Sequence, residues 1–102
     1  MSMDFSVAGF EWDEGNWPKC GKHGVSREVI EALFRIGPAV YADPEHSLQE
    51  QRLRAIGKTE AGKWVLIAFT LRRRGAESFV RPISARYIHQ REVEHYDRQR
   101  ET

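Results

Sequence analysis

The run Trp64-Val65-Leu66-Ile67-Ala68-Phe69 constrains this chain more than any other stretch, because it is apolar at odd and even positions alike. Side chains alternate between the two faces of a strand, so such a run predicts a central strand covered on both sides. The surrounding pattern predicts three strands: Gln51 to Lys58, Lys63 to Arg72 with the apolar run inside it, and Ser78 to Ser84. Thr59-Glu60-Ala61-Gly62 and Arg73-Arg74-Gly75-Ala76-Glu77 read as the hairpin loops between them. Pro82 has no backbone donor, which places it at a sheet edge or at a bulge.

A sheet with two apolar faces needs helices to cover it. Ser26 offers an N-cap oxygen, with Val25 and Ile30 at the positions of a hydrophobic staple. Val25, Val29, Ile30, Leu33 and Phe34 recur at helical spacing, and Gly37-Pro38 supplies the stop. Upstream, Asp13 to Pro18 reads as a turn leading into a further helix that Gly21 and Gly24 keep short. Met3 to Trp12 is expected as an edge strand or extended arm. A short strand around Val40 and Tyr41 leads into a polar loop from Ala42 to Ser47. A polar helix from about His89 to Arg100, with Val93 and Tyr96 inward, ends the chain. The expected class is α+β: N-terminal helices on a mainly antiparallel sheet with a C-terminal helix, in a single domain over 1–102.

With 40% hydrophobic residues, 30% charged residues and three tryptophans, the composition is that of a folded chain and excludes a disordered one. No segment approaches the roughly 18 apolar residues of a membrane span, and MSMDFSVAGF lacks a signal-peptide pattern, so cytoplasmic residence with no membrane partner is expected. Cys20, the lone cysteine, is read as structural. The net charge of +1 conceals an asymmetry: four basic and nine acidic residues up to Gln51, twelve and six after it. Such a cationic half suits a polyanion, although solvated arginines give the same count.

Alternation places Arg52 and Arg54 on one strand face with Ile56. Arg81 shares a parity with Phe79 and Ile83, an isolated charge on an apolar face that requires a partner: a carboxylate such as Glu50 or Glu92, or a bound phosphate. His23, beside Lys22, is suited either to cap helix-end carbonyls or to move protons near neutral pH. Arg72, Arg73 and Arg74 at a hairpin tip suit phosphate contacts or plain solvation. His46, His89 and His95 lack metal-ligand spacing, so neither a metal nor another cofactor is expected. No phosphate-cradling glycine loop, nucleophile elbow or cysteine nucleophile motif occurs.

Four blocks stand in order along the chain: Phe10-Glu11-Trp12-Asp13; Lys22-His23-Gly24-Val25-Ser26; Glu50-Gln51-Arg52 running into Ile56-Gly57; and Arg81-Pro82-Ile83-Ser84-Ala85-Arg86, followed by Arg91-Glu92 and Tyr96. In this order and spacing, over nearly the whole chain, they resemble the BrnT toxins. The resemblance implies a RelE-like fold, metal-independent ribonuclease activity on RNA, and neutralisation by a BrnA-type antitoxin. That antitoxin carries a ribbon-helix-helix part, so DNA is met only indirectly. Matching positions imply His23, Arg52, Arg81, Arg86 and Glu92 as catalytic and Lys22 as RNA-binding, with Arg72, Arg73 and Arg74 adding RNA contacts. Arg81 and Arg86 would hold phosphate and transition-state charge, and His23 or Glu92 would move protons. Pro18, Gly21, Pro82 and His89 depart from the family pattern. A non-catalytic module acting as corepressor with a DNA-binding antitoxin is the alternative, and a partnerless RNA-binding domain the third reading.

Overall fold

The doubly apolar run does lie at the middle of the sheet. The computed structural model describes residues 7–46 and 50–101. Its strands are β1 (Gly9–Phe10), β2 (Ala39–Ala42), β3 (Arg52–Lys58), β4 (Trp64–Arg74) and β5 (Glu77–Ile88), and its α-helices are α1 (Arg27–Ile36) and α2 (Gln90–Glu101). The spatial order is β1-β5-β4-β3-β2, antiparallel throughout except for the parallel β1–β5 pair. The class is therefore α+β.

Alternation along β4 separates two cores. Val65, Ile67 and Phe69 point to one face, where Ile30, Leu33 and Phe34 of α1 join Leu53, Ala55, Val80 and Ala85. Phe34 meets Phe69 edge-on, with ring centroids 5.0 Å apart. Leu66 points the other way, into a smaller core with Ile56, Ile88 and Val93 of α2, flanked by Trp64 and Tyr96. The expectation of a strand covered on two sides is met, one helix to each side.

Local signals explain the element ends. The Val29 N–H donates to Ser26 Oγ at 3.2 Å, capping α1, and Val25 and Ile30 are both buried. The β4–β5 connection is tighter than its sequence suggests: Arg74 pairs with Glu77, leaving only Gly75 and Ala76 in the turn. Gly75 has φ 64°, the positive value that the first central residue of a type II′ hairpin requires. Arg72, Arg73 and Arg74 thus belong to the strand end rather than to a loop.

Three other expectations change. Among the described residues the N-terminal helices reduce to α1 preceded by a 3-10 turn at Lys19–Gly21, since Pro18, Gly21 and Gly24 leave no room for regular helix. Within the expected Met3 to Trp12 arm only Gly9–Phe10 is strand, at the β5 edge, and residues 3–6 lie outside the described part. β5 continues to Ile88 instead of stopping at Ser84, because Ala85 and Ile88 each have a core to enter.

Pro82 marks a bulge, not an edge. Ala68 pairs with Ser84 but Phe69 with Pro82, so Ile83 is the extra residue. Before it, Val80 and Pro82 are buried; after it, Ala85 is. The extra residue shifts the parity by one, and its consequence is functional.

Candidate functional site

Without the bulge, Arg81 and Arg86, five residues apart, would leave opposite faces of β5. With it, Phe79, Arg81, Ser84, Arg86 and Ile88 share one face. The register sets Arg81 across from Thr70 and Arg52, Ser84 across from Ala68 and Arg54, and Arg86 across from Leu66 and Ile56. Arg72 and Arg74 follow Thr70 on the same side of β4. Six arginines from three strands therefore emerge on the face that carries α2, and the apolar contacts of the helix lie toward the Ile56, Leu66 and Ile88 end.

The array divides into two parts. In the first, Arg81 is only 15% exposed and is held by the N-terminal segment. Its Nη1 donates to Glu11 Oε1 at 2.9 Å, while Nη1 and Nη2 grip the two Asp13 oxygens at 2.9 and 3.0 Å. Arg74 donates to Glu11 at 2.7 Å and Arg72 to Glu50 at 2.8 Å. Glu11 is placed by the short β1, its backbone N–H bonded to the Val80 carbonyl. A Cβ at Gly15 would sit 2.8 Å from Arg81 Nη2 and 2.9 Å from Asp13 Oδ1, so a larger residue there would push on the ends of both side chains. The Arg81 hydrogen bonds, aided by the Gly15 N–H, hold the Asp13 carboxyl below its ordinary 3.8, and the same bonds raise Arg81. The partner that Arg81 requires is thus a carboxylate pair, but Glu11 and Asp13 rather than Glu50 or Glu92.

In the second part Arg52, Arg54 and Arg86 line a pocket of about 230 Å³ with Asp43, Leu66, Ala68, Ser84 and Tyr96. Asp43, 5% exposed, accepts from Arg54 Nε at 3.1 Å and from Nη2 at 3.4 Å, and Arg54 Nη1 donates to the Tyr96 hydroxyl. Burial opposes the charge on Arg54, but Tyr96 and Asp43 outweigh it and raise its pKa. Arg86 donates to both oxygens of Glu92, at 3.3 and 3.0 Å, with both side chains still substantially exposed. Those bonds hold the Glu92 carboxyl below its ordinary 4.5. Chemically, the pocket presents three guanidinium groups and one lining carboxylate, a setting that attracts a phosphate.

Arg52, Arg81, Arg86, Glu92, Arg72 and Arg74 are thus gathered on one side of the sheet. Arg73 leaves the other face, pairing with Ser78. Lys22 and His23 are exposed and follow the Cys20 turn, which is buried in the α1-side core; neither lines the pocket. Sequence reasoning passed over Arg54, Asp43 and Tyr96 as site residues. The shared parity of Arg52 and Arg54 was the available signal for the first, and the inward position of Tyr96 for the last.

No group of three or more His, Cys, Asp or Glu residues able to hold a metal occurs among the described residues. None of the described helices is long and apolar enough to cross a membrane. No curated protein matches the chain. The model of one family, described as the ribonuclease toxin BrnT of type II toxin-antitoxin systems, matches residues 12–92, a span that includes Asp13 of the Arg81 clamp and the Arg86–Glu92 pair. The chain belongs to the BrnT family of ribonuclease toxins.

Proposed function

We propose that this chain is a metal-independent endoribonuclease that cleaves RNA in the cytoplasm, inhibits translation and growth, and is neutralised by a BrnA-type ribbon-helix-helix antitoxin. The observation that carries this is the convergence of Arg52, Arg54 and Arg86 on one small pocket with a single lining carboxylate. A RelE-like fold belongs to the same proposal, supported by a mainly antiparallel sheet whose α2 side bears the arginines.

Cleavage proceeds by attack of a ribose 2′-oxygen on the adjacent phosphorus. The 2′-hydroxyl proton passes to a base, the bond to the 5′-oxygen breaks, and that oxygen receives a proton, leaving a 2′,3′-cyclic phosphate and a 5′-hydroxyl. Charge gathers on the non-bridging oxygens at the crowded phosphorus. Arg52 and Arg86 supply cationic donors there, and one such donor is typically worth about 10²–10³ in rate. Arg54, fixed by Asp43 and Tyr96, presents a pre-oriented guanidinium that needs no rearrangement. Phosphate entry displaces Glu92 from Arg86, which leaves an ionised carboxylate beside the 2′-hydroxyl as proton acceptor. Arg72, Arg74 and Arg81 extend the cationic strip along the strand, exchanging carboxylate partners for RNA phosphates. Lys22, His23 and Arg73 are outlying contacts to RNA beyond the pocket.

A corepressor module without nuclease activity is the second reading, favoured by the carboxylates that already engage Arg81 and Arg86. Induced expression in a bacterial host separates the two. The nuclease reading predicts growth arrest and loss of total-RNA integrity for the wild type but not for Arg52→Ala/Arg86→Ala at equal levels of folded protein. Unharmed cells and intact RNA with folded wild type would overturn the nuclease reading and favour the corepressor one.

A further inference from the structure

A second cavity, of about 370 Å³, adjoins the phosphate pocket and shares Asp43, Arg54 and Tyr96 with it. Its remaining wall includes Tyr41, Glu45 and His95. The volume lies at the small end of the ligand-pocket range of roughly 300–1,000 Å³, the scale of one nucleoside rather than a larger molecule. Three rings gather here: Tyr41 and Tyr96 have centroids 5.5 Å apart at 45°, and His95 and Tyr96 5.9 Å apart at 75°. The rings are not stacked on one another, and Tyr96 stands in the wall common to both cavities. Glu45 is exposed at the end that bears the Pro44–His46 turn.

We propose that this second cavity is a nucleobase subsite, which rests on the phosphate pocket being where RNA is cleaved. A base and its own phosphate can fill adjoining cavities that share a wall. The base stacks on Tyr41 or His95 while its phosphate meets Arg54 from the other side of Tyr96. Base–aromatic stacking is sequence-tolerant, because every base has a π-face. Glu45 supplies what stacking lacks: a carboxylate accepts from the exocyclic amino group of cytosine, adenine or guanine, whereas uracil offers only its ring N3–H. Uridine is therefore the least favoured base at this position.

The test uses the full chain and fluorescently labelled 2′-O-methyl RNA tetramers, which cannot be cleaved, alongside an abasic tetramer of equal phosphate count. Base-bearing tetramers should bind roughly tenfold or more tightly than the abasic one, with uridine weakest. His95→Ala and Tyr41→Ala should each remove most of that gain, Tyr41→Phe should retain it, and Glu45→Gln should narrow the deficit of uridine. Abasic binding should not change in any of these variants. His95 is exposed on α2, so its alanine variant remains informative if Tyr41→Ala fails to fold. Equal binding of abasic and base-bearing tetramers, or indifference of the base-bearing ones to His95→Ala, would overturn the subsite. Weaker antitoxin binding by His95→Ala with oligomer binding unaltered would give the cavity to the antitoxin and overturn it equally. Indifference of abasic binding to Arg86→Ala would instead refute the phosphate pocket, an outcome read separately.

Discussion

Removing either partner of the Arg54–Asp43 pair should destabilise the protein unequally, because the two are not equally wet. Asp43 is 5% exposed and Arg54 28%. Arg54→Met leaves a buried carboxylate without its guanidinium, and breaking a buried pair from one side typically costs about 3–5 kcal/mol. Relaxation and the water that reaches the neighbouring cavity lower this to about 2–4 kcal/mol. Asp43→Asn leaves a cation that reaches solvent and keeps one amide oxygen as acceptor, so its cost is about 1 kcal/mol. The double variant should recover about 1–3 kcal/mol relative to the sum of the singles. Urea denaturation at pH 7, followed by circular dichroism, measures all three. Equal costs for the two single variants would refute the assignment of the buried charge to Asp43.

Other consequences are open to simpler measurements. In an NMR titration the Asp13 and Glu92 carboxyls should have midpoints below 3.8 and 4.5, and Arg81→Met and Arg86→Met should move them back toward those values. Both folded-state values are depressed, so each pair's contribution is present above the ordinary carboxylate range and lost as pH falls through the folded midpoint, and the acid limb should flatten in the methionine variants. Cys20 is fully buried and its thiol is pushed up to about 11, so a thiol-reactive dye at pH 8 should label it only on unfolding. Phe69→Ala removes a fully buried ring packed on Phe34 and should cost about 3–5 kcal/mol, lowering Tm by about 4–8 °C for each kcal/mol.

The elements that carry the fold were legible where local chemistry decides them. A strand apolar on both parities had to be central, Ser26 and Gly37 bracketed α1, and the strand limits around Thr59 to Gly62 followed from turn residues. Contacts between distant segments were not legible. Glu11 and Asp13 reach Arg81 because a two-residue parallel strand docks on β5, a pairing that leaves almost no periodic trace. Glu50 and Glu92, the carboxylates expected near Arg81, pair with Arg72 and Arg86 instead. Pro82 announced an irregularity without saying which side of it would be shifted, and that shift brings Arg81 and Arg86 to one face. Asp43 sits in a polar stretch that reads as an exposed loop, yet Arg54 draws it inward. Family resemblance supplied the ribonuclease class, which no spacing of residues would have shown.

Purified protein and single-stranded RNA, incubated with a metal chelator and followed by end-group analysis of the products, test the central claim most directly. The fragments should end in 2′,3′-cyclic phosphate and 5′-hydroxyl, with cleavage at least about 10²-fold slower for folded Arg52→Ala/Arg86→Ala. Cleavage abolished by the chelator, or equal rates for wild type and the double variant, would contradict it.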